Sequence, residues 1–253
     1  VESMGASIQL KGHHLRHRRL YKIFDSELKH QNVQWHLGLN TCTATNYQFR
    51  QNQQVGFHFY EYKDLFKFTA THYNDVDFNN LLIGTVTVKD YEDVIMYPHD
   101  DFKAMRVTLI STTRIGSLPP NEYDMVAMLI CQHYLHALKY VKVQTDAICH
   151  VALRCNSNQL EQVHDQTTAL CRVAIFTNPY QIRNVHNQTE DLALLAVSLN
   201  GMVLEYVKNK TLTVCSTAYA QNPKSMRFAK QVWPDQDWYD YLIDFNLLVF
   251  SDQ

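Results

Sequence analysis

The chain has 253 residues, 46% apolar and 19% charged, enough to bury a sizeable core in one or two domains. With 23 basic and 25 acidic residues the net charge is −2, which excludes a globally basic nucleic-acid protein, and 12% aromatics exclude a wholly disordered chain. The 7 glycines never lie closer than seven positions, which excludes G-x-G-x-x-G and the P-loop; H-E-x-x-H, C-x-x-C and G-x-S-x-G are absent as well.

The chain opens on Val1 with its first Met at Met4, so Val1–Ser3 are expected to be a product of processing or added residues. No secretory leader is read, and the longest apolar runs, Leu81–Val88 and Leu247–Phe250, are far too short to span a membrane. Lys11, Arg16, Arg18, Arg19 and Lys22, with His13, His14 and His17 among them, form a local basic patch free of acids. It reads as a solvated arm, and it is the one place where nucleic acid or phosphate could bind.

Arg19–Asp25 and Val55–Glu61 alternate as half-buried strands, and Leu81–Val88 and Arg106–Ser111 are strands rich in β-branched residues. Lys63–Tyr73 reads as a short helix, and Asn74–Asn80 as a loop. Asp75 and Asp77, and farther on Asp90, Glu92 and Asp93, read as surface acids rather than a cation site. On the second strand His58 and Tyr60 share a face; with His72 they are the nearest approach to a catalytic set. Residues 1–116 are therefore expected to form a small mixed α+β module, and Ser117–Asn121 a linker. A long helix over Glu122–Tyr140 follows, carrying His133 and His136, whose spacing is read as a polar helix face and not a metal site.

From there the sequence repeats every 22 residues. Thr145, Thr167, Thr189 and Thr211 form one column, Ala152, Ala174, Ala196 and Ala218 a second, and Asn156, Asn178, Asn200 and Asn222 a third. Cys149, Cys171 and Cys215 share another, with Ala193 filling its gap. Each Thr suits an N-cap, and apolar residues such as Ile148, Val151, Ala152 and Cys155 follow on one helical face. Asn-Pro or Asn-Gly stops the helix, and a second, shorter helix completes an αα-hairpin. Asn187-Gln188-Thr189 and Asn209-Lys210-Thr211 match a glycosylation pattern, but the cap role already accounts for both threonines. The expected class is α+β: the mixed module, then an all-α array of short helix pairs over 122–232, then an aromatic-rich C-terminal cap over 233–253. A disulfide framework is conceivable for six cysteines, but three belong to the repeat core, which favours a reducing, intracellular compartment.

The stretches LYKIFD, LGLN, GFHFYEYKDLFKF, LIGTVTV and FKAMRVTLIS resemble a small module of phage and giant-virus proteins. Tyr60 stands where that module commonly carries Cys, so no thiol role carries over. The V-x-x-Q-T…C…A…N-P/G units resemble short αα-repeats of giant viruses and some intracellular bacteria. Together the resemblances cover about nine-tenths of the chain and imply a viral or virus-like intracellular origin and a fold, without an activity or a cofactor. The function expected is that of a non-enzymatic scaffold that binds a host or virion protein through exposed repeat positions Arg154, Glu161, Arg172, Arg183, Glu205 and Lys208. The alternative is a transferase of ADP-ribosyltransferase-like type, with a cleft in the N-terminal module lined by His58, Tyr60 and His72.

Overall fold

The computed structural model describes residues 7–30, 33–42, 56–66, 76–97 and 101–229. The chain divides into two compact bodies, Val1–Tyr140 and Val141–Gln253. An antiparallel sheet of eight strands comes first, and helices follow.

The N-terminal body carries β1 (Ile8–Lys11), β2 (Leu20–Phe24), β3 (Lys29–His30), β4 (Val33–Gln34) and β5 (Gly38–Thr41), then β6 (Phe57–Glu61), β7 (Leu82–Thr87), β8 (Asp93–Met96), β9 (Asp101–Ala104) and β10 (Arg106–Arg114). The sheet order is β1-β8-β9-β6-β2-β7-β10-β5, with β3 and β4 paired separately. Strand alternation sends Leu20, Phe24, Phe57, Phe59, Val86 and Phe102 to one face, where they bury Trp35. Gly84 lets that face close: a Cβ there would lie 2.5 Å from Phe24 Cε2 and 2.7 Å from Leu109 Cδ1. β2, β6 and β7 fall inside the expected strands, and β10 runs on to Arg114. The strands β1, β8 and β9 have 4 residues each, too short for alternation alone to reveal them from sequence.

The expected helix over Glu122–Tyr140 is cut short. Helix α1 spans Pro120–His133, and a separate 3-10 turn covers Ala137–Tyr140. His136 therefore lies beyond the helix, and H-x-x-H does not sit on one helical face. This segment belongs to the N-terminal body, so the boundary at Tyr140 falls later than Ser117–Asn121. Buried Asn79 accounts for the difference. Its Oδ1 accepts from the Tyr123 hydroxyl at 2.9 Å, and its Nδ2 donates to the Tyr140 carbonyl at 2.6 Å. The neighbouring Phe78 ring packs on both tyrosines. The expected helix over Lys63–Tyr73 and the C-terminal cap over 233–253 lie wholly or largely outside the described residues, and residues 62–66 form turns.

In the C-terminal body α2 (Asp146–Cys155), α3 (Thr168–Thr177), α4 (Glu190–Leu199) and α5 (Leu212–Gln221) have ten residues each and start 22 positions apart; the short α6 (Met226–Ala229) follows. Thr145, Thr167, Thr189 and Thr211 each accept from the backbone N–H three residues on, at 3.3–3.4 Å. Each Asn then acts twice. Its backbone N–H donates to the Ala carbonyl four residues back, and its Oδ1 accepts from the N–H two residues on. That second bond starts a tighter turn, so the second element of each pair is a 3-10 helix and not the expected α-helix: Ser157–Gln162, Pro179–Asn184, Gly201–Tyr206 and Pro223–Ser225. Ala152, Ala174, Ala196 and Ala218 are fully buried where successive helices pack.

Glutamines tie one pair to the next. Gln166 donates from Nε2 to the carbonyls of Leu160 and Asn184 and accepts at Oε1 from His186 N–H. Gln188 repeats this with Ile182, Tyr206 and Lys208, and Gln144 bridges to Gln162 and His164. In the fourth position Lys210 instead donates to the Val207 carbonyl. Thr189→Ala is expected to cost about 1 kcal/mol, one cap bond. Gln188→Leu should cost about twice that, because it strands three backbone groups that Gln188 had satisfied. Urea denaturation of both variants checks the order.

All six cysteines are free; Cys42, Cys131, Cys149, Cys171 and Cys215 are buried and Cys155 is exposed. Burial pushes the thiols of Cys149 and Cys215 up to about 11, and that of Cys171 upward as well. Native protein is therefore expected to give one fast thiol in a colorimetric titration, abolished by Cys155→Ser, with the remainder released on denaturation.

Candidate functional site

The basic patch does not survive as a free cationic surface. Lys11 pairs with Asp93 at 2.6 Å, Arg16 with Asp90, and Arg18 with Glu61 at 2.7 Å. The partners come from distant loop and strand positions, which local sequence does not reveal. Lys22 is no surface residue at all: strand alternation points it to the core face, where it is 1% exposed. Arg19 stays exposed and joins a different site.

That site is a cleft of about 740 Å³ on the sheet face opposite the aromatic core. Its floor is Tyr21, Ile83, Thr85 and Thr113, side by side on β2, β7 and β10. A bulge in β10 between Leu109 and Ser111 sets this floor. It pairs Ser111 with Thr85 and leaves Ile110 exposed, where an unbroken ladder would place Ile110 against Thr85. His17–Arg19, Tyr62, Lys63 and the start of α1 form the walls. Tyr21 and Tyr62 meet edge to face at 5.1 Å. Burial, then Glu122 and Tyr21, push the Tyr62 phenol up to about 12, so it is a neutral donor and not a base. The lining supplies hydrogen-bonding groups and charge of both signs.

His58 and Tyr60 share a face of β6, as alternation requires, but neither lines this cleft, and His72 lies outside the described residues. His58 Nε2 stands 4.0 Å from Asp101 Oδ2. Burial first, then the cations of Lys103 and Lys22, hold its pKa down to about 3, so the imidazole is neutral and the contact is not an ion pair at neutral pH. Lys22 Nζ donates to the His58 carbonyl at 2.8 Å and sits 5.3 Å from the Trp35 ring centroid. Its burial lowers it to about 7. Among the described residues no group of three or more His, Cys, Asp or Glu could hold a metal ion, and no helix is long and apolar enough to cross a membrane.

On the C-terminal body Arg154, Glu161, Arg172, Arg183, Glu205 and Lys208 are all exposed. Arg154 and Arg172 lie on α2 and α3; Glu161, Arg183 and Glu205 lie on three successive 3-10 helices. Lys208 sits on the linking turn, its Nζ donating to the His186 carbonyl at 3.1 Å. The exposed Phe176 and Tyr180 lie among them, and apolar character alone could have marked both from the sequence. Comparison of the chain with protein-family models, with curated proteins and with solved structures finds no match.

Lys22 makes the N-terminal body sensitive to pH. Its folded pKa lies below its unfolded one, so between pH 7 and 10.5 the unfolded chain holds more protons and stability rises with pH. Below pH 7 both states are charged and the full cost of burying the ammonium is present. Lys22→Met is expected to stabilise the protein by about 1–4 kcal/mol at pH 6. The gain should fade toward pH 10.5; denaturation curves across that range measure it.

Proposed function

We propose that this chain is a non-enzymatic interaction protein, a scaffold that binds a partner protein through the exposed face of its C-terminal body. In this reading the helix pairs form a repeat array, and the setting is the viral or virus-like, reducing intracellular one that the sequence resemblance implies. The observation that carries the reading is the repeated framework itself. Each pair uses the same Thr cap, the same Asn turn and the same buried Ala, so variable side chains are held at a fixed spacing. Such stacks present extended binding surfaces. Arg154 and Arg172, exposed on consecutive α-helices, make no ion pair among the described residues, and arginine is a favoured interface anchor.

The transferase alternative draws no support from the cleft, since His58 and Tyr60 are not part of it. The test is affinity capture from host or infected-cell lysate with three proteins: wild type, Arg154→Ala/Arg172→Ala and His58→Ala/Tyr60→Phe. The expected result is a specific partner retained by wild type and by the His58/Tyr60 variant, and lost at least tenfold by the arginine variant, as for one hot-spot arginine. Capture that depends only on His58 and Tyr60, or nicotinamide release requiring them, overturns the proposal.

A further inference from the structure

One column of the C-terminal body alternates in charge. Glu161, Arg183, Glu205 and Arg227 stand 22 residues apart, all exposed. The first three occupy the same place in successive 3-10 helices, and Arg227 is in α6, directly after the fourth. None makes an ion pair among the described residues, although Glu205 lies within electrostatic range of Lys210, and Arg227 lies over the Phe228 ring. Successive 3-10 helices approach within 8 Å backbone to backbone, so neighbours in this column stand side by side. The opposite charges are therefore adjacent and yet unused within the chain.

We infer that this face pairs with the same face of a second copy of the chain, antiparallel about a twofold axis between Arg183 and Glu205. The inference rests on the proposed reading of this body as an interaction surface, and it names the partner. Reversing the column turns Glu-Arg-Glu-Arg into its own complement. Glu161 meets Arg227 of the second copy, Arg183 meets Glu205, and both pairs recur by symmetry, as an isologous interface requires. A parallel, in-register contact sets like charge on like charge. A parallel contact shifted by one repeat leaves an unpaired end and builds an open filament.

The centre of the face suits the same axis. In a 3-10 helix side chains three apart eclipse, so Tyr180 stands over Arg183 and Met202 over Glu205. These two are equivalent positions of adjacent pairs, so the twofold sets Tyr180 of one copy against Met202 of the other, a thioether on an aromatic ring. Tyr180 is already packed at 6.0 Å on Tyr206, which holds its ring in place. The contact thus sets an aromatic–thioether pair beside each central Arg183–Glu205 pair. Exposed ion pairs are individually weak and screened by salt, so the dimer is expected at low ionic strength.

The test is sedimentation velocity on the full chain. Wild type is expected to dimerise with rising concentration at low salt and to revert to monomer at high salt. Glu161→Arg/Glu205→Arg makes the column all positive and Arg183→Glu/Arg227→Glu makes it all negative; each alone should be monomeric with an unchanged far-ultraviolet spectrum. An equimolar mixture of the two should restore the dimer, which a folding defect could not do. A wild type that stays monomeric at low salt, variants that dimerise like wild type, a mixture that stays monomeric, or assembly beyond the dimer overturns the inference. Any of these leaves the capture experiment with Arg154 and Arg172 to stand or fall separately.

Discussion

A side-chain amide at the head of each of the first three helix pairs holds the C-terminal body in register. Gln166 and Gln188 each bind two carbonyls and one N–H, in their own pair and the next. Apolar packing of the Ala column is non-directional and would tolerate a slide of one pair along another. Three directed bonds to backbone do not. The fixed spacing of the exposed arginines and glutamates, on which any recognition by this surface depends, follows from that constraint.

The N-terminal body is ordered differently. Its aromatic core closes one sheet face but encloses an ammonium, that of Lys22, held there by its bond to the His58 carbonyl. On the opposite face a single extra residue in β10 changes which side chains reach the cleft. Core and cleft are thus two sides of the same strands. Tyr21 of the cleft floor is flanked in the chain by Leu20 and Lys22 of the core.

Much of the C-terminal body is legible in the sequence because its determinants are local. A Thr cap acts three residues away and an Asn turn two residues away, so a column of either shows itself at once. The glutamine column is equally visible in the V-x-x-Q-T motif, but its partners are carbonyls six and 18 residues away, and spacing alone does not reveal them. The 3-10 geometry of the second helices escapes the sequence because their apolar spacing also fits an α-helix. In the N-terminal body the failures are all long-range. The acids that neutralise Lys11 and Arg16 lie more than seventy residues off, the bulge that shapes the cleft has no composition signal, and Asn79 draws α1 to the sheet body through a bond to Tyr123. Alternation places the candidate catalytic residues His58 and Tyr60 on one strand face, as found, and Tyr60 pairs with Tyr21 of the cleft floor; their place along the sheet, which needs the strand order, keeps them out of the cleft.

Lys210 gives the glutamine ladder a direction. A glutamine amide both donates and accepts, so it works like a monomer with two reactive ends, linking the pair before it to the pair after it. An ammonium only donates. Lys210 binds back to the Val207 carbonyl but offers no oxygen to an N–H twenty residues farther on. In the language of polymer chemistry it is an end-capping group. The pair after it keeps other ties, Gln221 Oε1 accepting from the Gly201 N–H and the Thr211 hydroxyl donating to Glu190, but it lacks the two-ended amide, so that form of grip is confined to the first three pairs.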